Sequence, residues 1–396
     1  MEKFILIISA VFPPEPVVSA RLSMDLYKAL KEKGYKVKVI HPEPSRPYGF
    51  NPDQFDGNKD NEDEVITTSY ICPASSLMGR LRESWSFGKA CAKYIQLHSD
   101  EISCIYANTW PIFSQRFIVK TAKKINIPCL MHVQDIYPES LTNKLNHLQG
   151  VIAEAILLPI DKYILHNCTK VIAISEKMRE YLIYSRNIPS KNIIVVTNWQ
   201  DEKEFLDYKY EESPKTESPF TFMYMGNIGP VAGVDLLIEA FLKARLDNAR
   251  LVIAGSGSMK AKLIEKASSS PNIEYWDVPN GKVPEIQSQA DCMLLPIKKG
   301  AASSSIPSKL PAYMFSGKPI IGCVDSDSDT ADAIKQADCG WIIEPENTQI
   351  LAEKMATVAS LGSVYLEEYG EKALKYGLKN FSKKENLNKL IEAILN

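Results

Sequence analysis

"FTFMYMGNIGPVAGVDLLIEAF", Phe220–Phe241, sets an apolar run, Phe220–Tyr224, directly before three glycines and a helix-patterned stretch. Gly226, Gly229 and Gly233 fall in the turn between strand and helix. Glycines there let backbone N–H groups approach a phosphate at the helix N-terminus. The same spacing also serves a plain tight strand-to-helix turn, so alone it does not separate the two. What it does fix is the unit: a buried strand, a sharp turn and a covering helix.

The unit repeats downstream. In "VIAGSGSMKAKL", Val252–Leu263, Gly255 and Gly257 again end a strand and start a helix. A third glycine would complete a dinucleotide fingerprint, but Lys260 stands there, which favours a mononucleotide over an NAD-type ligand. Further strands are expected near Ile273–Trp276, Cys292–Leu295, Ile320–Cys323 and Trp341–Ile343. Helices are expected over Thr348–Ser360, Val364–Leu378 and Lys384–Leu395.

Upstream the same alternation gives strands at Phe4–Ser9, Val37–His41, Ile102–Ala107, Cys129–Val133, Val171–Ile174 and Ile193–Thr197. Leu22, Leu26, Ala29 and Leu30 mark a helix closed by Gly34. Between the two rounds, "QDEKEFLDYKYEESPKTESP", Gln200–Pro219, is charged and lacks periodicity. The pattern predicts an α/β chain of two doubly wound, Rossmann-like domains facing each other across a cleft. The expected boundaries are 1–200, a linker at 201–219, 220–378, and a C-terminal helix, 379–396, returning to the first domain.

A length of 396 residues suits two cores better than one. The net charge of −2 gives no support to a nucleic-acid partner. The 8 cysteines form no C-x-x-C pair, and Cys104, Cys129, Cys292 and Cys323 lie in apolar runs. Neither a disulfide framework nor a zinc site is expected, and a reducing cytoplasm is. No run reaches the ~18 apolar residues of a spanning helix. The opening "MEKFILIISAVFPP" imitates a signal peptide, but Pro13 and Pro14 stop it without a cleavage site, so it is read as a buried first strand.

The third chemical segment is "KKGAASSSIPSKLPAYMFSGKPII", Lys298–Ile321. A Gly/Ser-rich loop runs into a helix expected to begin near Ser308 and Lys309. A lysine in a first helical turn opposes the helix dipole unless an anion sits there; extension into solvent is the plain alternative. The preceding loop favours the anion, a diphosphate.

Taken in order, "GNIG…GVDLLIEAF", "VIAGSGS", "NIEYWDV", "ADCMLLPI" and "PSKLPAYMFSGKPII" resemble the C-terminal domain of family 4 glycosyltransferases, retaining enzymes of the GT-B fold. The first half is similar too, through "FPPEPVVSARLSMDLYKALKEKGYKVKVI", "MHVQDIYPESL", "AISEKMREYL" and "IIVVTNWQD". Within that family it most resembles the branch that adds N-acetylfucosamine-type sugars in O-antigen and capsule assembly. The resemblance implies that His132 faces the reacting sugar, with Asp135 orienting it or the acceptor hydroxyl. It implies a donor site at Arg21, Gly226, Asn227, Gly229, Gly255, Gly257, Ser308 and Lys309. It implies no cofactor, a nucleotide-sugar donor and a polyprenyl-diphosphate-linked saccharide acceptor.

Two family features are missing. The Glu-x7-Glu pair, whose second carboxylate holds the donor ribose, falls at Ser304 and Ala312, and the phosphate-binding Arg and Lys of many relatives fall at Asn227 and Ala232. These losses leave open a sugar-nucleotide-binding protein without catalysis; a GT-B epimerase is a further alternative. "DSDSDTAD", Asp325–Asp332, imitates a metal-binding loop, but Thr330 and Gln336 stand where an EF-hand needs Gly and Glu. The loop is expected to cap a helix from Ala331, and no metal is expected.

A lipid-carried acceptor would bring a cytoplasmic enzyme to the inner face of its membrane. The segment Ser75–Ile95 offers Arg80, Arg82, Lys89 and Lys93 among Leu77, Met78, Leu81, Trp85 and Phe87. It is expected either to touch anionic lipid weakly, with Trp85 and Phe87 at the interface, or to pack as an ordinary amphipathic helix.

Overall fold

The computed structural model describes residues 3–46, 62–73, 76–108, 111–142, 145–208, 218–230, 232–267, 270–279, 281–300 and 306–396. The chain divides into two compact units: Met1–Thr197 with Leu387–Asn396, and Asn198–Asn386.

The first unit holds seven strands: β1 (Phe4–Ser9), β2 (Val37–Pro42), β3 (Glu64–Thr67), β4 (Ile102–Asn108), β5 (Cys129–Val133), β6 (Lys170–Ala173) and β7 (Ile193–Val195). Their order is β3-β2-β1-β4-β5-β6-β7, every pair parallel. A parallel sheet is covered on both faces, so its strands read as unbroken apolar runs; β1 is buried at all six positions. β3 was not expected. It is an edge strand paired only with β2, and its "EVIT" is half exposed, so it lacks the apolar run that marks the others.

The second unit holds β8 (Phe220–Met225), β9 (Ala249–Ala254), β10 (Ile273–Trp276), β11 (Cys292–Pro296), β12 (Ile320–Cys323) and β13 (Gly340–Ile343). Their order is β10-β9-β8-β11-β12-β13, all parallel. Counted from β8 this is 3-2-1-4-5-6, the doubly wound Rossmann order. Alternation along the strands splits the core. Phe222, Tyr224, Leu251, Ile253 and Leu294 pack with helices Val234–Ala244 and Thr348–Ala359. Met223, Met225, Val252, Met293 and Leu295 face helices Lys309–Phe315 and Asp329–Ala337.

Several expectations need correcting. The stretch 201–219 is not wholly irregular: Lys203–Asp207 is helical, and Phe205 packs against Phe315 at 5.8 Å between ring centroids. Helix Ser363–Phe381 runs past 378, and the break falls at Ser382. The helix after the acidic loop begins at Asp329, and its cap is the Ser328 hydroxyl, which accepts from Ala331 N at 3.1 Å. Phe87 is buried in the first core and does not reach the surface as expected, whereas Trp85 stays 46% exposed with its ring edge-on to Phe113 and Phe117.

Candidate functional site

In an open parallel sheet, ligands bind beyond the carboxyl ends of the strands where the strand order reverses. In the second unit that point lies between β8 and β11, followed by the loops beginning at Gly226 and Ile297. The residues expected at a diphosphate gather on this side.

Gly226 donates its N–H to Ala254 O at 3.0 Å, and Ile228 donates to Ser256 O at 2.8 Å. The glycine loops after β8 and β9 are thereby stitched together. Their approach is closer than any side chain permits. A Cβ on Gly255, whose φ is +130°, would stand 2.2 Å from Gly226 O, and one on Gly257 would stand 2.3 Å from Ile228 O. These glycines are required by backbone contact, whatever ligand they also admit.

Lys309 reaches into the same place. A Cβ on Gly226 would meet its Cε at 3.3 Å and its Nζ at 3.4 Å. Nζ donates to Tyr224 Oη at 2.9 Å and lies 4.5 Å from the centre of that ring. Tyr224 donates in turn to Asn227 O at 2.6 Å, tying lysine and glycine turn together. Burial pulls the ammonium down from the usual lysine range to about 8. No described carboxylate pairs with it. Helix Lys309–Phe315 is anchored by Tyr313, whose hydroxyl accepts from Met225 N and donates to Met225 O, both at 2.8 Å. A desolvated cation with only a neutral partner, beside closely apposed backbone, is a place where an anion gains strong hydrogen bonds.

The remaining expected donor residues sit as follows. Asn227 is exposed on the turn, Gly229 lies beside its side-chain amide, and Ser308 is exposed, its side chain capping nothing. Ala312 is buried inside its helix, and Ser304 lies outside the described residues. Tyr224 and Tyr313 were not anticipated. Each looks like an ordinary core aromatic in sequence, and only the fold aims its hydroxyl at the turn.

In the first unit His132 lies on β5 and is wholly buried. Its Nδ1 is 2.7 Å from the Tyr106 hydroxyl of β4, and its Nε2 has no partner. Desolvation holds the imidazole near about 3, so it is neutral. The phenol hydrogen has Nδ1 to point at, which assigns the ring hydrogen to Nε2, a buried donor without an acceptor. Asp135, the expected orienting group, is exposed and does not hold the ring; Tyr106 does. Arg21 is exposed on helix Val18–Glu32. That helix is fixed at the end of β4 by Asn108, which donates to Ser19 O at 3.2 Å and Ser23 Oγ at 3.0 Å. Glu15 braces the loop after β1, accepting from Phe12 N, Ser45 N and Arg46 N at 2.7–2.9 Å. No group of three or more His, Cys, Asp or Glu able to hold a metal ion occurs among the described residues.

Two Rossmann-like units, one with a largely buried lysine at its switch point, define the class of scaffold. Residues 208–376 match the model of the group 1 glycosyl transferases, and residues 19–204 match that of glycosyltransferase family 4. The chain belongs to this family and has its GT-B fold. It is 22% identical to the putative colanic acid biosynthesis glycosyl transferase WcaI of Escherichia coli K12, over 93% of this chain and 96% of that one. It is 21% identical to the probable glycosyltransferase WbjE of Pseudomonas aeruginosa, over 58% and 59%. Among solved structures it resembles Anabaena HepE in complex with UDP, with TM-score 0.71, 14% identity and 99% of each chain covered. It also resembles WaaG, a glycosyltransferase involved in lipopolysaccharide biosynthesis, with TM-score 0.67, 15% identity and 99% of each covered.

Proposed function

We propose that this glycosyltransferase moves a sugar from a UDP-sugar to a polyprenyl-diphosphate-linked saccharide, with retention at the anomeric carbon and without a metal ion. The observation carrying the reading is Lys309: a desolvated ammonium, paired only with a phenol, beside the backbone of Gly226. As the sugar leaves, charge grows on the diphosphate, and a preorganised cation stabilises that charge more than it stabilises the ground state. UDP as the nucleotide is supported by its presence in the HepE complex. An acceptor from surface-polysaccharide assembly is supported by the names of WcaI and WaaG. In this reading Gly226, Asn227, Gly229, Gly255, Gly257, Ser308, Lys309 and Arg21 serve the donor, and His132 meets the sugar with its Nε2–H.

One observation favours a second reading. Ala312 is buried in its helix where relatives carry the ribose-binding carboxylate, which suits a chain that binds sugar nucleotide without turning it over. Incubation with a panel of sugar nucleotides and a lipid-linked acceptor separates the two. Glycosylated lipid supports transfer; tight UDP binding without product in any combination supports the second reading.

A further inference from the structure

Helix His147–Asn167 buries Leu157, Ile164 and Leu165 in the first core, and its other side is apolar as well. Leu148 is 76% exposed, Val151 54%, Ile152 62% and Ile156 58%. At these spacings the four side chains form one stripe along successive turns, and Ala155 and Pro159 extend it. Scattered exposed aliphatics are ordinary, but a contiguous row of them on one helix marks a surface that is covered in use.

We propose that this stripe is a membrane-docking face that lies in the headgroup region of an anionic bilayer. Three observations favour lipid. The stripe is about 17 Å long and about 10 Å wide, far short of the roughly 800 Å² per partner that a stable dimer buries. Its large side chains are Leu, Val and Ile, without the Trp, Tyr or Arg anchors that concentrate binding energy at protein interfaces. Further along, the helix exposes Lys162 and His166, while its one exposed carboxylate, Glu154, is rotated off the stripe. An apolar row with the Lys162 ammonium at one end suits acyl chains and phosphate headgroups. Glu154, Asp161 and Lys162 keep the helix from crossing the bilayer, and no described helix is long and apolar enough to do so.

The inference rests on the reading that the acceptor is lipid-carried, and it moves the contact away from Trp85 and Phe87. The test is sedimentation of the full-length protein with vesicles of phosphatidylethanolamine and phosphatidylglycerol in equal parts. Wild type is expected to pellet with them, and the triple variant Val151→Gln, Ile152→Gln, Ile156→Gln to partition at least about tenfold less. UDP titration of the same variant should match wild type, which shows that it is folded. A loss of UDP binding by wild type would strike the proposed function while leaving the sedimentation result intact. Failure of wild type to pellet, or equal pelleting by the triple variant, overturns the proposal. So does loss of pelleting in Arg80→Glu, Arg82→Glu with the triple variant unaffected, which would assign the contact to the basic helix. A wild-type dimer that the triple variant dissolves would assign the stripe to a second copy.

Discussion

Lys309 rests its ammonium 2.9 Å from the hydroxyl of Tyr224, and that phenol passes its own hydrogen to the carbonyl of Asn227, 2.6 Å away. The charge has been taken out of water and given a neutral partner, which leaves most of its hydrogen-bonding power unused. Lys309→Ala should therefore weaken UDP binding by roughly 1.5–3 kcal/mol, the usual size for a charge-assisted contact with phosphate. Calorimetry showing unchanged affinity would remove Lys309 from the diphosphate site.

The same lysine predicts a pH dependence. Burial lowers it to about 8 in the free protein, whereas a bound diphosphate favours its charged form. UDP affinity should be level below about pH 8 and fall as the pH rises beyond it, with protons taken up on binding. Lys309→Arg, charged throughout, should flatten that fall. Stability follows the opposite course. From about 8 to the ordinary lysine value of 10.5, the unfolded chain holds more protons than the folded one, so this residue's contribution improves with pH.

Tyr224→Phe keeps the ring beneath Lys309 but removes the bridge to Asn227 O. A stability loss of about 1 kcal/mol is expected, with a loss of UDP affinity smaller than that of Lys309→Ala. Denaturant unfolding and titration of the two variants side by side check the ranking; equal losses would mean that the phenol itself binds the ligand.

Gly255→Ala sets a Cβ against Gly226 O in a backbone conformation that side chains rarely adopt. It should lower the unfolding free energy by about 1–3 kcal/mol and weaken UDP binding, because the two loops must part. Gly281→Ala, also at positive φ but with open space around it, is the control for backbone strain alone.

These relationships show what the sequence made legible. Strands such as Cys129–Val133 and Ile320–Cys323 stood out because strands buried on both faces carry unbroken apolar runs. The glycine loops and Lys309 were visible because turns and a misplaced charge leave local marks. Tyr224, Tyr106 and Glu15 left none. Their roles depend on elements that are neighbours in space but distant in the chain: Tyr106 and His132, on adjacent strands, are 26 residues apart, and Tyr224 on β8 and Lys309 at the start of a helix are 85 apart. Asp135 was expected to orient His132 or the acceptor hydroxyl; Tyr106 holds the ring, so of the two roles the one toward the acceptor is left to it.

His132 carries the last prediction. Its ring is neutral, held near about 3 by burial, and its Nδ1 is taken by Tyr106. If Nε2–H meets the sugar as charge develops, His132→Ala should cut turnover on the order of a hundredfold while leaving donor affinity nearly unchanged. Tyr106→Phe should lower turnover less, because the ring stays packed but loses the bond that fixes its hydrogen on Nε2. The pH profile of wild type should show no ionisation near 6.5 from this histidine. Stability should reveal it: between about 6.5 and about 3 the unfolded chain binds a proton that the folded chain refuses. Wild type should thus lose stability as the pH falls through that window, and His132→Asn should lose less, by thermal unfolding at a series of pH values. Equal acid sensitivity of the two proteins would contradict a neutral buried ring, and equal losses of turnover and donor affinity in His132→Ala would contradict its place in the transition state.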